Sequence, residues 1–146
     1  MMPITHDFFL EIAKSSIESA GEKWTRNAIS RAYYHMFHTT LELIGDSNNI
    51  PSKDEQGQKL AGGTHQRFCD YLCDGRAARD FDLDLTLTKE AGLKLKGAHH
   101  RRVIADYKLN KHINRIDAIS IITDAENQIT KVSNILALKN TQSDIA

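Results

Sequence analysis

An all-α fold follows from three features of the 146-residue sequence. Prolines are confined to Pro3 and Pro51, so nothing interrupts long helices downstream. Apolar residues recur three and four apart over most of the chain. Glycines 21, 45 and 75 sit between the periodic stretches, where helices stop. The prediction is one domain over 1–140, an up-and-down bundle of four long helices plus a short one, with a polar tail over 141–146 that frays.

Each element has its own signals. The first helix spans 5–20, with Thr5 as N-cap, Asp7 in the first turn and Gly21 as its stop. Phe8, Phe9, Ile12, Ala13 and Ile17 form its buried stripe. The second spans 23–44 and ends at Gly45; Ile29, Ala32, Tyr33, Met36, Thr40 and Ile44 face the core. Its opposite, polar face carries Asn27, Arg31, His35, His38 and Glu42. Residues 46–63 hold Pro51 and Gly57 among Ser, Asn and Asp, and read as a long loop of the kind that carries function. A short helix over 64–74 ends at Gly75. In 76–87, Phe81, Leu83, Leu85 and Leu87 alternate, which predicts an extended connection, since one strand has no partner. A helix over 88–107 is capped by Thr88. The last helix begins near Asn114, with Asp117 completing a capping-box-like pair. Its seam is Ala118, Ile122, Ala125, Ile129, Val132 and Leu136.

Composition excludes several classes. Apolar residues make up 40% and the 19 Lys+Arg balance 19 Asp+Glu, so disorder and a global bias towards nucleic acid are both disfavoured. Residues 1–20 lack a basic start followed by a continuous apolar run, and no apolar stretch reaches membrane-spanning length. The expectation is a cytoplasmic protein without a membrane segment. Cys69 and Cys73 are four apart and read as reduced thiols on one helix face. A zinc site would have to recruit His65 with His99 or His100, without a Cys-x2-Cys pair to support it, so no metal or cofactor is expected.

The candidate chemistry lies on the second helix. Arg31 and His38 are two turns apart on nearly one azimuth, with His35 between them. A guanidinium grips phosphate through paired hydrogen bonds, and an imidazole exchanges protons near neutral pH. That pairing suits phosphodiester chemistry; solvated polarity explains it equally simply. Tyr34 lies near the Arg31 face and offers a ring for base stacking. His99, His100, Arg101 and Arg102 form the one local basic cluster, suited to an RNA backbone. Arg102 and Asp106 stand one helical turn apart, as a structural pair would. Tyr33 and Trp24 read as packing residues.

The string Ser30-Arg31-Ala32-Tyr33-Tyr34-x-Met36-Phe37-His38 resembles the signature helix of small stand-alone HEPN-domain proteins of prokaryotes. Downstream, Arg102-x-x-Ala105-Asp106-Tyr107 is similar to the second signature of that group. The resemblance implies a dimerising bundle. It further implies a metal-independent endoribonuclease, often a toxin with an antitoxin or a phage-defence protein, with an Arg and a His from each protomer across a two-fold cleft. Arg31-x6-His38 fits the spacing of that motif. Ala32 stands where active members often carry a polar residue, and the Ser-Arg-Ala-Tyr-Tyr form also occurs in non-catalytic members. The resemblance therefore equally implies a module that binds a nucleotide or a nucleotidyltransferase partner, or a structural adaptor in a larger complex. No His stands beside Arg101 and Arg102 at the place matching a catalytic second signature, which assigns Arg102, Asp106 and Tyr107 a structural part.

Overall fold

The computed structural model describes residues 5–145, with side chains over 5–141. Among these residues the fold is all-α. In order come α1 (Asp7–Ile17), α2 (Glu22–Leu41), a 3-10 turn at Ser47–Asn49, α3 (Thr64–Cys73), α4 (Arg76–Phe81), α5 (Leu85–Tyr107) and α6 (Arg115–Ile145). None of these helices is long and apolar enough to cross a membrane.

The centre of the bundle is α2. It packs against α1, α5 and α6 at once, while α3 and α4 are held mainly by α5, with His65 and Phe68 of α3 also reaching Tyr33 and Phe37 of α2. Twelve of its 20 residues are buried, far more than one amphipathic stripe supplies. The core runs from Ala28, Ile29, Tyr33 and Met36 on α2 to Phe68 and Leu72 on α3, Leu95 on α5, and Ile121 and Ile135 on α6. Gln128 lies in this core and donates to Thr40 Oγ1 and the Ala91 carbonyl, both at 3.0 Å, so α6 is tied by polar bonds to both neighbours.

Helix ends are closed by side chains from elsewhere. The Arg26 guanidinium donates to the carbonyls of Ala105 (2.8 Å), Ile104, Lys108 and Lys111, satisfying the free carbonyls where α5 ends. Arg115 Nε does the same for Ile17 O at 3.2 Å, where α1 ends. Gly45, with φ +87°, accepts the left-handed conformation that lets its N–H reach Leu41 O and stop α2. Gly92 has a different role: a Cβ there would stand 2.7 Å from Leu72 Cβ, so its lack of a side chain lets α5 lie against α3.

Several expected details are corrected. Gly21 precedes α2 as its N-cap, while α1 ends at Glu18. Thr5 Oγ1 turns to Asp7 Oδ2, and His6 occupies the N-cap position of α1. The alternating segment holds α4, which buries Ala77 and Ala78; of the alternating residues Leu83 is buried and Leu85 is exposed. The cap of α5 is Asp84, whose carboxylate accepts from Leu87 N at 2.9 Å; Thr88 lies a turn inside the helix, with its buried hydroxyl unpartnered. On α6, Ala118, Ile122, Ala125 and Val132 of the expected seam are buried, but the buried face is broader, taking in Ile121, Gln128 and Ile135, and Ile129 is 37% exposed. The Asn114–Asp117 pair does form, at 3.2 Å. Within 46–63, Asp54 Oδ1 accepts from the backbone of Gln56 and Gln58, giving an ordered turn. Backbone of α6 continues as helix through 141–145, the stretch expected to fray.

Candidate functional site at the edge of α2

The two sequence motifs meet across the α2–α5 interface. Ser30 Oγ donates to Asp106 Oδ2 at 3.2 Å, and Arg102 Nη2 donates to Tyr34 OH at 2.7 Å. Arg102 Nε lies 2.9 Å from Asp106 Oδ2, although no acceptor sits along its N–H direction. The guanidinium also stands over the rings of Tyr34 (5.2 Å) and Tyr107 (5.5 Å). Arg102, Asp106, Tyr34 and Tyr107 are thus one structural unit, as the helical pairing of Arg102 with Asp106 anticipates. Tyr34 is consequently committed to Arg102 by its hydroxyl, leaving less of it for a stacked base.

The basic cluster on α5 does not survive as a patch. Four consecutive residues point in different directions around a helix. Arg101 turns to α6 and pairs with Asp124 at 3.2 Å, and Arg102 turns to α2. His99 stacks on His65 of α3, with ring centroids 5.7 Å apart, and His100 is exposed, with no hydrogen bond or ion pair among the described residues.

The polar face of α2 is also not a solvated face, because α1 lies over it. His35 is wholly buried, against His6 and Thr39. Its predicted standing as an open candidate beside Arg31 and His38 is overturned by that packing. Arg31 and His38 themselves stay half-exposed on the rim of the α1–α2 contact. The Arg31 guanidinium sits 5.7 Å above the Tyr34 ring and has no carboxylate partner among the described residues. His38 lies nearly parallel to Phe9 (5.5 Å, 7°) and to His6 (6.2 Å, 16°), and edge-on to Phe37. Burial, together with the neighbouring His6 and His35, holds its imidazole below the ordinary pKa, so it is neutral at pH 7. Phe9 also packs on Tyr34, so a short aromatic bridge joins the Arg31 and His38 positions.

Below that bridge is a buried aromatic and imidazole layer. Tyr33 OH and His65 Nδ1 share a hydrogen bond of 2.5 Å, and His65 is held down to about 4 by burial and by His99, Arg102 and His38. Cys69 and Cys73 are free thiols; burial pushes Cys69 up to about 12, which keeps it protonated.

The open space beside His38 is a cleft of about 740 Å³ between α1, α2 and α6, lined by His6, Asp7, Phe9, His38, Thr39 and Glu42 among others. His6 and Phe9 were missed as site residues. Phe9 falls on the apolar stripe of α1, and His6 precedes that helix, so the only available signal was the number of histidines. No family model, curated protein or solved structure matches this chain.

Proposed function

We propose that the protein is a metal-independent endoribonuclease of the HEPN type, with Arg31 and His38 from each of two copies facing across a two-fold cleft. One observation carries the reading. Arg31 and His38 share the rim of α2 in complementary states, a cation with no carboxylate partner among the described residues and a neutral imidazole. A neutral His38 accepts the proton of a ribose 2'-OH, whose oxygen then attacks the adjacent phosphorus. His38 of the second copy, its proton affinity raised by the bound phosphate, protonates the departing 5'-oxygen. Arg31 from each copy bonds the non-bridging oxygens as charge builds on them. The products are a 2',3'-cyclic phosphate end and a 5'-hydroxyl end. A toxin–antitoxin or phage-defence setting in the cytoplasm fits such an activity.

A second reading is favoured by the packing of His38, which lies against Phe9 and His6 on a rim already roofed by α1. Such a residue serves a non-catalytic module, in which Arg31 holds the phosphate of a nucleotide or a group on a nucleotidyltransferase partner.

Untagged protein incubated with total RNA in EDTA separates the two. The first reading expects cleavage with cyclic-phosphate ends, a rate roughly 10²–10⁴-fold lower in His38→Ala, and little change in the exposed control His100→Ala. Light scattering expects a mass twice the 16.5 kDa of the chain. RNA left intact by the wild type, with nucleotide binding lost in Arg31→Ala, assigns the protein to the second reading.

A further inference from the structure

The geometry points to a binding site for a divalent transition-metal ion of the zinc class at the junction of α1 and α2, built from His6, Asp7 and His35. The site does not rest on the ribonuclease reading, whose chemistry uses no metal.

Three donor atoms converge there. His6 Nδ1 and His35 Nδ1 are 3.5 Å apart, and Asp7 Oδ1 is 4.0 Å from His6 Nδ1. All three ligand groups place a donor atom within 4.8 Å of the others. A tetrahedral ion with bonds of about 2.0–2.1 Å requires donors about 3.3 Å from one another. The two imidazole nitrogens already stand near that separation. Asp7 is exposed and closes the remaining distance by side-chain rotation. The His6 carbonyl oxygen, 3.2 Å from His35 Nδ1, adds a further acceptor on the same side.

The outer nitrogens explain why the inner ones point at each other. His6 Nε2 is 2.8 Å from Glu42 Oε1, so the ring proton belongs there and Nδ1 presents its lone pair. This is the carboxylate–histidine arrangement that orients metal-bound imidazoles. His35 Nε2 lies 3.4 Å from the Thr39 hydroxyl, which can donate to it, so that His35 Nδ1–H donates to the His6 carbonyl when no ion is bound. The inner space is bounded by two ring nitrogens and that carbonyl oxygen, and an entering ion takes the place of the His35 Nδ1 proton. His35 is 0% exposed, so its ring cannot turn out to water to relieve the crowding.

Charge and access favour the ion. Asp7 and Glu42 supply two carboxylates, and among the described residues neither is paired with a Lys or Arg. His6 and Asp7 border the 740 Å³ cleft, with His35 buried behind them, which gives an entry path and leaves a coordination position for water or a ligand. Neither cysteine takes part, in contrast to a set of Cys69 and Cys73 with His65 and His99 or His100, which the sequence would have to recruit for zinc. Ligands here come from the start of α1 and the middle of α2, brought together by the packing of those helices.

The test uses untagged full-length protein, stripped with chelator, dialysed and titrated with Co²⁺ and with Zn²⁺. One equivalent per chain is expected, with a visible Co²⁺ absorption band and NMR shifts at the His6 and His35 rings. His6→Ala, which removes a partly exposed ligand without opening the core, should abolish saturation at concentrations where the wild type saturates. Glu42→Gln should weaken binding about 10–100-fold while leaving the stoichiometry at one, the signature of an outer partner. Absence of saturable binding in the folded wild type overturns the site and leaves His35 Nδ1–H donating to the His6 carbonyl. Binding that persists unchanged in His6→Ala overturns it too, because the ion then sits on other histidines. Either outcome leaves RNA cleavage in EDTA unaffected.

Discussion

The α2–α5 seam and the α1–α2 rim are built from the same residue types and behave differently. At the seam, Arg102 is bonded to Tyr34, paired with Asp106 and stacked on Tyr107, while Ser30 donates to the same oxygen of Asp106. At the rim, Arg31 lies over the face of Tyr34 with no carboxylate partner among the described residues, and His38 packs against the rings of Phe9, His6 and Phe37. An Arg with a carboxylate one turn away and a tyrosine across the interface is a fastening. An Arg with no carboxylate is available to a phosphate. Residue identity alone does not separate the two; the partner supplied by the neighbouring helix does.

Arg102→Ala should show the largest loss of stability, about 2–4 kcal/mol, because it leaves Asp106 partly buried without its cation and Tyr34 OH without a donor. Urea unfolding followed by circular dichroism measures it, and a loss below 1 kcal/mol would remove the seam's claim to be a fastening.

Acid should come next. His65 is held down to about 4 in the fold against an ordinary 6.5. The unfolded chain therefore binds the extra proton between those values, and stability declines as pH falls from about 6.5 towards 4. His65 is partly exposed, so its share is discounted to on the order of 1–2 kcal/mol. In His65→Gln the slope of stability against pH over that window should flatten; an unchanged slope would place the titration elsewhere, in His38 or His35.

His38→Ala should cost about 1 kcal/mol, more than a free surface residue, since it strips a ring from the Phe9 and His6 contacts. Arg31→Ala should stay within about 0.5 kcal/mol in thermal unfolding. The gap between Arg102 and Arg31 is the comparison in its sharpest form, and equal losses would dissolve it.

Much of the fold was legible in the sequence because helix periodicity and stops are local properties. The long segments, the Gly45 stop and the Asn114–Asp117 pair were all readable, and Tyr33 was correctly assigned to the core. The failures share one cause. An amphipathic reading assumes one buried face per helix, and α2 is packed on three sides. Hence His35, on the face opposite the core stripe, is wholly buried under α1. The same assumption made His99 to Arg102 a patch, whereas α2, α3 and α6 each claim one member of it. Sequence by itself determined the long helical segments, though not α4, and that Arg31 and His38 share an azimuth, since both follow from the 3.6-residue repeat. Only the tertiary structure decided which charges are spent and which are free. Burial and pairing depend on residues such as His6, Phe9 and Asp124, far along the chain from the groups they hold, and no local pattern encodes that choice of partner.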